Sequence, residues 1–444
     1  MTTIDHRPVS RLKAQVLVVG GGAAGVAAAV TAARQGLDVL VVERYGFCGG
    51  GAVAGLSGTI CGMYASAEQV DPRLPVLVHG LLDEFVERME HGGGLTGPVL
   101  YGKTYTRVHD PLVWRETADA MLADANVRVL FHALVTDVLT DGGERVAGAV
   151  VVTKEGRIEI RADLVIDASG DAEIVAMAGL PYTVGRDGQV QNPTMIFRLL
   201  GADIAKLRRT YGADSIMPAA VMDAIVDARG RGFDLPRTKI FLFETPRPGE
   251  LLCNATRIVG RDGRELNSLR AADFTEAEQQ GRLQARAYAR FLRENVTGCE
   301  HTFMNDTGVQ VGIRQTRQLV GMATLSNEQV QRGGKAPDGI VRSAWPIELH
   351  KGAKPHIEWL LDDYYEVPFG CFVPQRGEGL LVAGRCLSAE HEAMASARVT
   401  AQCFAYGHAI GHAAAISIRD HLSSRDIPGA EVRRRLNADG ARLD

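Results

Sequence analysis

The residues of this chain that could do chemistry fall into two groups. The first suits a dinucleotide. Gly20, Gly22 and Gly25 fill a G-x-G-x-x-G pattern, with Ala23 and Ala24 between the last two glycines. In such a turn the first glycine permits the tight bend, the second lets the backbone approach a diphosphate, and the third lets a helix lie close on a strand. The helix that follows would aim free N–H groups and the positive end of its dipole at the phosphates. Glu43, about twenty residues on, can accept hydrogen bonds from ribose hydroxyls. An acid there, and not an arginine, favours a ribose without a 2′-phosphate. The second group suits anions and protons. Arg314 and Arg317 are three apart, on neighbouring sides of a turn if helical. They suit a substrate carboxylate, or form a structural pair answering nearby acids. His391, between Glu390 and Glu392, fits an acid/base, a hydrogen bond to a cofactor, or a structural contact to a carboxylate. Cys48 is either a reactive thiol or a small packed residue.

These residues need a scaffold, and the hydropathy pattern supplies one. Gln15–Val19 and Asp38–Val42 read as buried strands, with a small-residue helix between them running to about Gln35. Seven glycines between Gly46 and Gly62 make a close-approach loop directly after Glu43. Pro75–Met89 has helical periodicity. Asp110 and Pro111 suit the N-cap and first turn of another helix, reaching about Ala125. Val127–His132 reads as a strand, and Arg145–Thr153 with Arg157–Ile160 as a hairpin around Lys154-Glu155-Gly156. Leu164–Gly170 is a further buried strand. Strands at Met195–Leu200, Lys239–Phe243 and Leu251–Thr256, and a helix from Thr275 to about Glu294, form a region of different character. Leu380–Ala383 returns as a strand, followed by a small-residue helix over roughly Ala395–Arg419. Leu422–Asp444 is charged, a surface helix or tail.

The run Glu43-Arg44 with Gly49-Gly50 beyond it resembles a flavoprotein pattern in which a second glycine pair lines the flavin. The stretch ASGDAEIVAMAG, with Ser169, Gly170 and Asp171, resembles the second fingerprint of FAD-dependent oxidoreductases. The stretch from Tyr364 to Ala415, with Gly384, Arg385 and Ser396, resembles their closing motif. Together these pieces resemble the FAD-dependent oxidoreductases of glutathione-reductase-like flavin fold, related in architecture to fumarate reductase and succinate dehydrogenase flavoproteins. The resemblance implies an α/β chain: a Rossmann-like FAD-binding domain with an inserted α+β substrate-covering domain. It implies boundaries at 1–180 for the first part of the FAD domain, with a hairpin insertion near 134–160, at 181–367 for the cap, and at 368–444 for the returning part and tail. It implies that Val135 offers backbone to the adenine and that Cys48 lies beside the flavin. The closing helix would point its N-terminus at the electron-rich edge of the ring, where the dipole stabilises the reduced form.

Composition excludes other classes. The chain has 444 residues, 46% hydrophobic and 23% charged, with net charge −4. That is an ordinary globular balance, with nothing to attract nucleic acid or an anionic membrane. The seven cysteines have no metal-type spacing and no C-x-x-C, so free thiols, no metal and a reducing, cytoplasmic setting are expected. The start, MTTIDHRPVSRLKA, has no apolar signal core. The expected activity is hydride transfer between a small organic substrate, carboxylate- or carbonyl-bearing, and flavin N5, with the electron acceptor and oligomeric state open. The alternatives are a flavin monooxygenase, against which no second G-x-G-x-x-G is evident in the insert, and an escort protein that has lost the cofactor. Lone His301 and His350 read as surface or core histidines, Arg398 as a loop-ordering residue, and Tyr364 and Tyr365 as residues within reach of the site.

Overall fold

A computed structural model describes residues 10–71, 73–350 and 354–444. Strand β1 (Ser10–Val19) leads through the glycine turn into helix α1 (Ala23–Arg34), and β2 (Val39–Val42) returns parallel to β1. β3 (Arg128–Leu130) adds to the outer side of β2. β4 (Leu134–Asp141), β5 (Arg145–Thr153) and β6 (Gly156–Asp167) form an antiparallel meander. One sheet takes them all in the order β3-β2-β1-β6-β5-β4.

β6 corrects one expectation. The hairpin arm at Arg157–Ile160 and the buried strand from Leu164 are a single element. The polar residues Arg161 and Asp163 suggest a break, but β1 bridges it: Lys13 pairs with Arg161 and Ala14 with Ala162. The ladder hydrogen bonds of a neighbour override local polarity.

The chain then builds a second sheet from β7 (Phe197–Leu200), β8 (Phe241–Glu244), β9 (Glu250–Asn254) and β10 (Phe303–Thr307), in the order β8-β9-β7-β10, with helix α2 (Ala271–Asn295) between β9 and β10. Its core draws on Met195 through Val311. The expected covering region, 181–367, is therefore divided. Leu325, Ile340, Ile347 and Val367 join the core on the α1 side of the large sheet. β11 (Leu380–Val382) re-enters that sheet parallel to the second half of β6.

Two helices close the structure: α3 (His391–Ala397) and α4 (Thr400–Arg419). The single helix expected from Ala395 is interrupted at Arg398 and Val399. α4 lies on α1 at very close range. A Cβ added at Gly407 would sit 2.1 Å from the Ala24 carbonyl oxygen, and one at Gly411 2.7 Å from that of Ala28. The alanines of α1 and the glycines of α4 thus form a seam that larger side chains would force apart. That seam fixes where α4 begins. The helix expected at Pro75–Met89 spans Leu81–His91, because Gly80 sits at φ +84° and Asp83 accepts a hydrogen bond from its N–H at 3.1 Å. Asp110 caps its helix as expected, accepting from the N–H of Leu112 at 2.7 Å. The C-terminal stretch carries a helix, Gly429–Ala438, that buries Val432 and Leu436. No helix among the described residues is long and apolar enough to cross a membrane.

Candidate active site

One cleft runs between the C-terminal ends of β1, β2 and β6 and the region of the second sheet, enclosing about 1690 Å³ of empty space with its open mouth counted. At one end its wall is backbone. Gly20 takes φ +101°, a conformation open to glycine, and Gly50 takes φ +47°, where a Cβ would stand 2.9 Å from the Gly22 α carbon. Gly22 is the N-cap of α1 and offers no side chain to that helix's free N–H groups. Gly25 does not line the cleft. A Cβ there would lie 1.8 Å from the Gly20 oxygen, so this glycine serves helix–strand packing. Glu43 is buried. Its Oε2 accepts from the Gly21 N–H at 2.7 Å and its Oε1 from the Tyr45 N–H at 2.9 Å. Burial raises its pKa against these two bonds. Gly20, Gly22, Ala23, Ala24, Glu43, Arg44, Gly49, Gly50, Val135, Ser169, Gly170, Gly384 and Arg385 all line the cleft.

Three other expected cofactor residues stand behind it. Cys48 is fully buried with its Sγ against Gly21, and burial beside Glu43 pushes its thiol pKa up, so it is the small packed residue and not a reactive thiol. Asp171 pairs with Arg385 at 2.8 Å and accepts from Thr316 Oγ1 at 2.7 Å. Burial opposes its charge, but Arg385 and Thr316 outweigh it and its pKa falls. Ser396 is buried and shares a 2.7 Å hydrogen bond with the Tyr365 hydroxyl. Glu173, absent from the sequence reading, does line the cleft. Burial and then Asp171 and Asp167 push its carboxyl up to about 7.

The other end of the cleft is walled by charged side chains from distant segments. Arg314 is buried and lines it, donating to the Asn192 carbonyl at 2.7 Å. Arg317 does not. Arg317 opens the strand Arg317–Leu319, so the two arginines do not sit on neighbouring sides of a helical turn. Arg317 stands over the Tyr182 ring and donates to the Asp171 carbonyl at 3.3 Å. The arginine pair therefore divides into a cleft residue and a structural one. His391 opens α3 and is not among the residues lining the cleft. Its neighbour Glu392 is held by Arg186.

The histidine that does line the cleft is His350. Its Nε2 lies 3.1 Å from Oε1 of Glu348, and both are buried. Extended backbone brings them together: Glu348 lies in the strand Ile347–Leu349 and His350 directly follows it, two residues on, so the two point the same way while Ile347 enters the core. Burial opposes the Glu348 charge, but His350 and the guanidinium groups of Arg237 and Arg398 hold its pKa well below the usual carboxylate range. Burial and the nearby Arg314 push His350 well below its own. A neutral imidazole thus stands beside an ionised carboxylate, with the proton on Nε2 as the charge on Glu348 requires. Arg398, from the break between α3 and α4, lines the same end, and burial lowers its pKa to about 10. Arg237 is buried behind it, donating to Asn254 Oδ1 at 3.0 Å. Trp345 lines this end and stacks on Tyr101 at 5.1 Å. His350 reads from the sequence as a lone surface or core histidine, and Glu348, two residues before it, carries no signal of its own. His301 is exposed at the surface, and Tyr364 and Tyr365 stand outside the lining.

The family model described as FAD dependent oxidoreductase matches residues 15–436. This chain belongs to that family. Its cofactor is FAD and its chemistry is that of an oxidoreductase. A thiamine thiazole synthase from Aeropyrum pernix is 29% identical over 175 residues, 37% of this chain and 57% of that relative's length. A geranylgeranyl bacteriochlorophyll reductase-like protein from Thermoplasma acidophilum is 14% identical, covering 97% of this chain and 84% of that one with a TM-score of 0.53. The latter likeness is one of fold. A flavoprotein/dehydrogenase from Cytophaga hutchinsonii, 14% identical, covers 96% of this chain and 84% of that one with a TM-score of 0.48. The glycine cradle fits the cofactor: a Cβ at Gly50 would collide with the backbone of Gly22, and the start of α1 faces the cleft uncapped by any side chain.

Proposed function

We propose that this flavoprotein moves a hydride between flavin N5 and a carbon of a small organic acid bearing a hydroxyl or carbonyl group. The observation that carries the reading is the charge at the end of the cleft. Arg314 and Arg398 line it, Arg237 backs it, and Glu348 is the carboxylate set among them, with His350 neutral. A buried excess of guanidinium groups favours an anion, and a planar fork suits a carboxylate.

The turn at Gly20–Gly25 and the start of α1 would hold the diphosphate, and Glu43 the adenosine ribose. The flavin, when bound, supplies the hydride acceptor or donor. The protein's own part is positioning and proton transfer. Arg314 fixes the substrate carboxylate. His350, its Nε2–H held by Glu348, accepts the hydroxyl proton at Nδ1 as the hydride leaves carbon, and returns it in the reverse direction. Glu348 holds the tautomer and offsets the positive charge that forms on the imidazole. In this assignment His350 replaces His391.

Anaerobic mixing of the FAD-loaded protein with a panel of hydroxy acids, enoates and cyclic ketones tests the proposal. At least one hydroxy acid should bleach the flavin band near ~450 nm, and His350→Gln should slow that bleaching while His391→Ala leaves it at the wild-type rate. Rapid oxygen uptake with NAD(P)H, and no bleaching by any acid, would point to a monooxygenase instead.

A further inference from the structure

A second group of side chains converges two turns along α4 from the cleft. His408 and His412 are four apart on one helical face and both buried. Their Nε2 atoms meet the same oxygen, Oδ2 of Asp439, at 2.8 and 3.2 Å. Asp439 follows the last turn of the C-terminal helix, and its side chain is 57% exposed. One donor atom from each residue lies within 4.8 Å of the others.

We propose that His408, His412 and Asp439 bind one divalent transition metal ion of the zinc class, tying the C-terminal helix to α4. Two imidazoles and one carboxylate are a donor set for such ions. Bonds of about 2.0–2.1 Å in a tetrahedron put neighbouring ligand atoms roughly 3.4 Å apart. The two N···O separations, 2.8 and 3.2 Å, need to open by roughly 0.6 and 0.2 Å to admit the ion. The His408 ring is already oriented: its Cε1–Nδ1 edge lies against Gly80, where a Cβ would come within 2.8 Å. The nearby cation, Arg34, is met by Glu84 through bonds of 2.7 and 2.9 Å, which removes most of its opposition to a second positive charge. The exposed side of Asp439 gives the ion an entry path and leaves its fourth position to water.

The test uses the FAD-loaded protein, stripped with chelator and titrated with ZnCl2 and, for its visible spectrum, CoCl2. The proposal expects one equivalent bound, a raised Tm, and a cobalt spectrum of nitrogen and oxygen ligation without a thiolate charge-transfer band. Asp439→Asn keeps a hydrogen-bond acceptor for both histidines and sits at the surface, so it should fold with an unchanged flavin spectrum. It should weaken metal binding about tenfold or more, and His412→Gln should do the same. Failure of the wild type to bind a stoichiometric ion, a thiolate signature, or binding by Asp439→Asn as tight as wild type would each overturn the site. In those cases the three residues form only a hydrogen-bonded latch.

Discussion

The two ends of the cleft are built from different material. The dinucleotide end is mostly backbone: glycines and a helix terminus, with the acids Glu43 and Glu173, and residues 20–55 are its main contributor. The substrate end is side chain: Arg314, Glu348, His350 and Arg398, reached from a crossing segment, a short strand and a helix break. At the first end, close backbone packing leaves no room for a Cβ at Gly20, Gly25 or Gly50. The second tolerates shape changes but depends on charge. Mutations at the two ends should therefore fail in different ways.

The largest effect is expected at the backbone end. Gly25→Ala must push a methyl into the Gly20 carbonyl, at a cost of about 3 kcal/mol or more. Gly22→Val places a branched side chain where the diphosphate would pass. Both proteins should purify without the flavin band, and retention of stoichiometric FAD by Gly22→Val would break the comparison. Next comes Arg314→Met. It keeps volume and removes charge, so FAD should remain bound while kcat/KM for the acid substrate falls roughly 10- to 100-fold. Equal loss for a substrate without the carboxylate would show that Arg314 acts on the fold instead.

A third prediction concerns acid stability. His109 is buried against Trp114, 4.6 Å between ring centroids, and burial lowers its pKa to about 4. Because the folded value lies below the unfolded one, its contribution is complete above pH ~6.5 and is lost as pH falls toward 4. The total is about 3 kcal/mol. His109→Phe should flatten the fall in Tm over that window, and an unchanged slope would assign the loss to other groups. The smallest effect is expected from Arg317→Gln. This arginine holds an aromatic ring and a carbonyl outside the cleft, so a change within about 1 kcal/mol of stability and no change in flavin reduction are expected. Should Arg317→Gln reduce turnover as strongly as Arg314→Met, the two arginines work as a pair after all.

What the sequence determined is the part of the site made of contiguous backbone. A tight turn, a close approach and a helix start each demand particular residues at fixed spacing, so Gly20, Gly22, Gly25 and Glu43 could be read in order. Gly49, Gly50, Ser169 and Gly170 were legible through the resemblance to the flavoprotein fingerprints. What only the tertiary structure decided is which charged side chains share one buried volume. Arg314 and Arg317 are alike in type and three apart, and an extended backbone with its neighbours Asn192 and Asp171 sends them to different places. Cys48 and Ser396 stand behind the cleft wall, because nearness in sequence to a cofactor loop does not say which side of the backbone a side chain leaves by. Glu348 and His350 gain their chemistry from Arg237, Arg314 and Arg398, which come from three separate segments, and Arg398 reaches them because the seam between α1 and α4 fixes where the closing helix must start.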